Sequence, residues 1–179
     1  MGIEKDPRRV FAEALAMYDL QPDPRTQELI DAAGALLGTG FETNNVLALA
    51  SLPTMRTHNA FVLAERVSLA REDLGMPAIG REGAQIRVAQ AMARRWLAGE
   101  LTDRELADWA HRTLTHFCAD EVEDLVFHAD ELDTLVYTNT SEEAAHQALG
   151  TIVATLLAIP DPWCAAEGEP DAEAAGPAT

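Results

Sequence analysis

Apolar positions recur every three or four residues along nearly the whole chain, and no stretch alternates strictly with the β-branched and aromatic enrichment of a strand. The pattern predicts an all-α protein, a compact bundle of seven to eight helices. Asp6-Pro7 and Asp23-Pro24 each place a side-chain acceptor before a proline, whose missing N–H costs nothing at the first helical position. They open helices over 7–18 and 24–37. In the second, Leu29, Ile30, Ala33, Leu36 and Leu37 share one stripe, and Gly38 and Gly40 supply the left-handed residues that end it. A short helix follows over 43–51. The fourth, over 55–74, turns Ala60, Leu63, Ala64, Val67 and Leu74 inward and stops at Leu74-Gly75-Met76-Pro77. The 76–83 segment offers a division of one helical domain, residues 1–160, into two halves.

A fifth helix over 82–98 points Ile86, Ala89, Ala93, Trp96 and Leu97 inward and Arg87, Arg94 and Arg95 outward, with Gly99 behind it. At the spacing of Trp96 and Trp109 the two indoles belong to the core. Thr102-Asp103-Arg104-Glu105 is a capping box, in which the threonine hydroxyl and the glutamate carboxylate satisfy each other's free backbone N–H groups. It starts a sixth helix with Leu106, Trp109, Ala110, Thr113 and Phe117 on one side. The seventh, over 120–136, turns Val122, Leu125, Val126, Ala129, Leu132 and Val136 inward. Ser141 caps the eighth, over 142–159, whose Leu149, Ile152, Val153 and Leu156 complete the core. Beyond it the composition shifts to Pro, Gly, Ala and acids, and 161–179 reads as an acidic disordered tail.

Charge changes this picture of an ordinary bundle. The 179 residues carry a formal charge of −17, which argues against binding nucleic acid or an anionic membrane through a general field. All 13 basic residues lie in 1–112, together with 16 acids; 113–179 holds 14 acids and no Lys or Arg. The acidity concentrates on the seventh helix, where Asp120, Glu121, Glu123, Asp124, Asp130, Glu131 and Asp133 surround the apolar stripe without an i, i+4 cation. Solubility alone accounts for such a surface. The functional reading is that it meets a basic protein, since clustered carboxylates steer a cationic partner and repel wrong ones.

Candidate chemistry is sparse. Cys118 and Cys164 have neither disulfide-framework nor zinc-finger spacing. Nucleophile elbows, phosphate loops, dinucleotide fingerprints and H-E-x-x-H are absent, and no cofactor is expected. Two carboxylate-x-x-His steps, Asp108-x-x-His111 and Glu143-x-x-His146, match the spacing of di-iron bundles. The alternative to an interaction protein is therefore an enzyme or metalloprotein whose core holds Asp108, His111, Glu143 and His146, completed by an acid from the seventh helix. The fifth helix has no acid between Glu82 near its start and Glu100 beyond its end, and first-turn acids stabilise a helix dipole without any metal. His111 and His116, five residues apart on one helix, point about 140° apart and do not share a ligand face. His128 falls on the polar side of the seventh helix, between Asp124 and Glu131.

The segment Ala93-Arg94-Arg95-Trp96-Leu97-Ala98-Gly99-Glu100-Leu101-Thr102-Asp103-Arg104-Glu105-Leu106-Ala107-Asp108-Trp109-Ala110 resembles the helix, Gly-Glu-Leu-Thr, capped helix, Trp-Ala pattern of small colicin-type bacterial immunity proteins and related actinobacterial helical proteins. The likeness spans about a third of the chain, residues 93–136. It implies a cytoplasmic, acidic, helical protein that sequesters a toxin by stoichiometric binding, with no catalytic residues. The N-terminus agrees with that compartment, because Met1 to Arg9 lacks the apolar stretch of a signal peptide.

Overall fold

A computed structural model describes residues 6–53, 59–138, 140–160 and 163; the side chains of 22–24 and of Val136 are not described. Among these residues there are eight α-helices, one short 3-10 turn and no strand. The helices are α1 (Pro7–Leu20), α2 (Pro22–Leu36), α3 (Asn44–Ala50), α4 (Ala60–Asp73), α5 (Gly80–Leu97), α6 (Asp103–Thr113), α7 (Asp120–Thr134) and α8 (Glu142–Leu157). The protein is the all-α bundle that its periodicity predicts. No described helix is long and apolar enough to cross a membrane.

Most boundaries follow from capping chemistry. Asp6 accepts from Arg8 N at the start of α1, Thr43 from Val46 N at α3, and Ser141 from Ala144 N at α8. The capping box is complete, with Glu105 N donating to Thr102 Oγ1 at 3.2 Å and Thr102 N donating to Glu105 Oε2 at 2.8 Å. Three starts differ by two residues or more from the expected ones, and one of them is α5, which begins at Gly80 instead of 82. Helix α2 begins at Pro22, which fills the first helical position as well as Pro24 does. Helix α4 begins after Asn59, whose side-chain carbonyl accepts from Phe61 N; the expected start at 55 lies outside the described residues. Cys164 and the acidic tail, apart from Trp163, also lie outside them.

Two apolar clusters fill the interior. One gathers Phe11, Leu15, Leu29, Leu36, Leu49, Val67 and Met76 from α1–α4 and the segment after them; the other gathers Met92, Leu106, Leu114, Leu125, Leu149 and Leu156 from α5–α8. Helix α5 contributes to both, Val88 to the first and Ala89, Met92 and Ala93 to the second. It packs against α1, α6, α7 and α8 and is buried on all sides from Ala84 to Ala93, except for the half-buried Ile86. That position corrects two expectations. Arg87, expected outside, is 1% exposed, and Leu97, expected inside, is 62% exposed. On α4, Ala60 and Ala64 are likewise exposed, while Leu63, Val67, Ala70 and Leu74 form the buried stripe.

The buried guanidiniums share a third constituent. Arg71 Nη2 bonds both carboxylate oxygens of Asp19, and its guanidinium lies 5.9 Å from the ring centre of Trp163. Arg87 stacks closer, at 4.5 Å, and the Trp163 indole N–H donates to the Pro77 carbonyl at 3.0 Å. Trp163, 2% exposed, thereby ties the end of the described chain into the N-terminal cluster. A delocalised, weakly hydrated guanidinium over an aromatic face suits a dry interior better than an ammonium does.

Two outcomes follow. Trp163→Ala removes a buried indole and uncovers Arg87, and it should lower stability by about 3–5 kcal/mol and Tm on the order of 10 °C in thermal unfolding followed by circular dichroism. The second concerns Glu105, whose carboxyl is held below its usual value by the hydrogen bond from the Thr102 N–H and then by that from the Thr102 hydroxyl. A lowered folded value means that its stabilisation is full above the unfolded value and disappears as pH falls through the folded one. The stability difference between the native chain and Glu105→Ala should therefore be present at neutral pH and shrink on acidification. A difference that grows as pH falls would contradict it.

Candidate functional site

Seven of the fourteen acids in 113–179 lie on the outer surface of α7. Burial of Val122, Leu125, Val126 and Ala129 against α6 and α8 fixes the rotation of the helix. All seven predicted carboxylates, Asp120, Glu121, Glu123, Asp124, Asp130, Glu131 and Asp133, are exposed. They fall into two groups. Along the C-terminal half each acid has a cationic or imidazole neighbour. Arg104 reaches across from α6 to bond Asp133 at 2.5 Å while its Nε bonds Asp108 at 2.8 Å. Hydrogen bonding to Asp133 pushes the guanidinium further above its already high value. Glu131 lies 3.2 Å from His128 Nδ1, and Asp130 faces His111 and His116. Along the N-terminal half, Asp120, Glu121, Glu123 and Asp124 have no ion pair among the described residues.

Aromatic side chains interrupt this acid surface. At i, i+3, i+4 and i+7, Asp120, Glu123, Asp124 and Phe127 form one exposed stripe. Phe117, expected to pack inward on an extended α6, is instead 91% exposed, and Tyr137 at the far end of α7 is 88% exposed. The reason for the Phe117 correction is that α6 stops at Thr113, so Leu114 takes the buried position and the chain turns at Thr115.

His128 differs from its expected place on a polar face. Its side chain is 0% exposed, with Nδ1 toward Glu131 and Nε2 without a hydrogen-bond partner among the described residues. Leu125 and Val126 are buried alongside it, so the buried arc of α7 is wider than the apolar residues alone suggest.

The four residues of the core metal reading do not assemble. Asp108 is held by Arg104, and Glu143 accepts from Gln147 at 3.0 Å. His146 Nδ1 meets Asp103 at 2.8 Å, and its ring lies 5.3 Å from Trp96, whose indole N–H donates to the same carboxylate. Trp96, His146 and Asp103 thus clasp α5, α8 and α6 together at the surface. Neither histidine points into the core, because the side chains of His111 and His146 are 45% and 54% exposed. His111 instead meets His116, with the two Nε2 atoms 3.2 Å apart. The expected 140° separation fails because the helix ends between the two residues.

Among the described residues no hydroxyl bonds to His146, whose polar contact is with Asp103. Cys118 stands at the entry to α7, half-buried. Burial pushes its thiol above the ordinary value, and the nearby Glu123 and Asp120 carboxylates push it further. No family model matches this chain, and neither a curated protein nor a solved structure does.

Cys118 should therefore alkylate slowly. In a Cys164→Ser background, which isolates this thiol, the pH profile of iodoacetamide labelling should have its inflection above that of a free cysteine. An inflection below it would mean that burial, with the carboxylates beside it, does not govern the thiol.

Proposed function

We propose that the protein is an interaction protein that binds a basic protein partner through the outer face of α7. The observation that supports this reading is the stripe of Asp120, Glu123 and Asp124, exposed and without ion pairs among the described residues, with Phe127 one turn further along the same line. Carboxylates in such a stripe accelerate encounter with a cationic surface, and exposed aromatic side chains supply the desolvated anchor that holds it. A purely solubilising surface has no use for Phe117, Phe127 and Tyr137 in water. The first-turn acids also complement the α7 dipole, which lets them accumulate there at little cost to the helix.

In its sharpest form the role is that of an immunity protein, acting in the cytoplasm and neutralising a toxin by stoichiometric binding. Nucleic-acid-degrading toxins present cationic surfaces of the kind such a face would cover.

Affinity capture with the full chain tests the proposal, followed by binding kinetics on the partner recovered. The partner should be basic, bind one to one and associate more slowly as salt rises. Neutralising the four unpaired acids (Asp120→Asn, Glu121→Gln, Glu123→Gln, Asp124→Asn) should lower the association rate by roughly tenfold to a hundredfold. Phe127→Ala should act mainly on dissociation. A partner whose affinity ignores all five substitutions would place the interface elsewhere and defeat the proposal.

A further inference from the structure

The turn between α6 and α7 builds a constellation that differs from the expected metal set. His111 occupies the last turn of α6, His116 follows three residues after the helix ends, and Asp130 stands on α7. Nε2 of His111 and Nε2 of His116 are 3.2 Å apart, and the Asp130 carboxylate oxygens lie 3.7 Å from the first and 3.9 Å from the second. One ligand atom from each residue thus falls within 4.8 Å of the others. Tetrahedral zinc bound at about 2.0–2.1 Å would set its ligand atoms about 3.3–3.4 Å apart. The imidazole edge of 3.2 Å is close to that, and the carboxylate offers Oδ1 at 3.7 Å to His111 and Oδ2 at 3.9 Å to His116, two different oxygens that are each slightly farther than the ideal separation.

Two further observations bear on how the triangle is held. Thr115 has φ of +62°, a left-handed conformation that a β-branched residue adopts only under strain. That single residue reverses the chain and brings His116 back over His111, where the rings meet edge to face at 5.1 Å. On its other side the His116 ring packs against Phe127 at 5.6 Å, which restricts its rotation. All three ligands are about half exposed, so an ion has access and at least one coordination position would remain for water or a further ligand. The acid-rich surroundings raise the local concentration of cations.

We infer that His111, His116 and Asp130 form a binding site for a divalent transition-metal ion of the zinc class. Two imidazole nitrogens and one carboxylate favour such an ion over calcium or magnesium, which take oxygen ligands. The inference stands apart from the partner-binding proposal, since it rests on the turn and not on the unpaired acids.

The test is calorimetric titration of Zn²⁺ into the metal-stripped full chain, with Co²⁺ as a spectroscopic probe of the ligand set. One ion should bind per chain, and Co²⁺ should show the visible d–d absorption of a low-coordinate nitrogen–oxygen site. His116→Ala and Asp130→Asn should each weaken binding by at least tenfold, and the His111→Ala/His116→Ala pair should abolish the absorption. His146→Ala, which removes an exposed histidine outside the triangle, should leave both readouts unchanged. Helical circular dichroism of each variant establishes that it is folded. Zn²⁺ binding undiminished in the double variant would assign the ion to scattered carboxylates and overturn the inference, as would the absence of stoichiometric binding.

Discussion

Helix α5 lies inside the molecule although its sequence is polar, and the arrangement of the other helices depends on how its buried polar side chains are satisfied. Gln85 accepts from the Ala119 N–H at 3.0 Å and so fixes the entry to α7. Gln90 donates to the carbonyls of Leu156 and Ile159 at 3.1 and 2.9 Å, closing the free C-terminal end of α8. Arg87 lies under Trp163 and anchors the chain beyond α8. A buried polar group left without its partner costs about 1–3 kcal/mol. These three side chains therefore specify where three distant segments must sit. The alanines at 84, 89, 91 and 93 let neighbouring helices approach closely enough for the bonds to form.

This internal use of polarity bears on the surface. Arg71 and Arg87 are buried, and Arg94 is drawn against Glu13 on α1. These three cations are committed elsewhere, and among the described arginines only Arg104 forms an ion pair with an α7 acid, Asp133, at 2.5 Å. Repulsion along the first turns of α7 is modest, because an exposed like-charge pair at i, i+3 or i, i+4 destabilises a helix by about 0.2–0.5 kcal/mol. Acids in the first turn recover a similar amount from the helix dipole. The acid stripe is thus nearly neutral for folding, and the composition of this face is free to answer to something other than stability.

Helix type and most helix starts were legible in the sequence because they depend on local chemistry. Asp6, Thr102 and Ser141 cap where their side chains alone dictate, and the inward residues of α7 keep the expected period. What was not legible depends on tertiary placement. A periodicity argument assumes one wet face, so it put Arg87 in water on a helix that has almost none along its middle. The same assumption put His128 on a polar face. The relation of His111 to His116 was hidden by one backbone angle, since Thr gives no sign of a left-handed conformation. A signal was nevertheless present: a new helix begins at Asp120, so the chain must turn somewhere in the six residues after Thr113.

That turn is where the molecule departs most from the rule that local preference and global fold agree. Thr115 carries strain of about 1–2 kcal/mol. Two residues later Phe117 leaves its ring in water, although burying an aromatic side chain is worth about 1.5–3 kcal/mol. Glycine at 115 and a polar residue at 117 would relieve both without disturbing either apolar cluster, since neither side chain belongs to them. Folding therefore gives no reason for the two residues to stand together at this point. A surface that engages other matter does, because the turn that strains Thr115 also presents Phe117 and sets His116 against His111. The acids of α7 adjoin the same turn. The least economical stretch of the fold is thus also the one where exposed aromatic, imidazole and carboxylate groups meet.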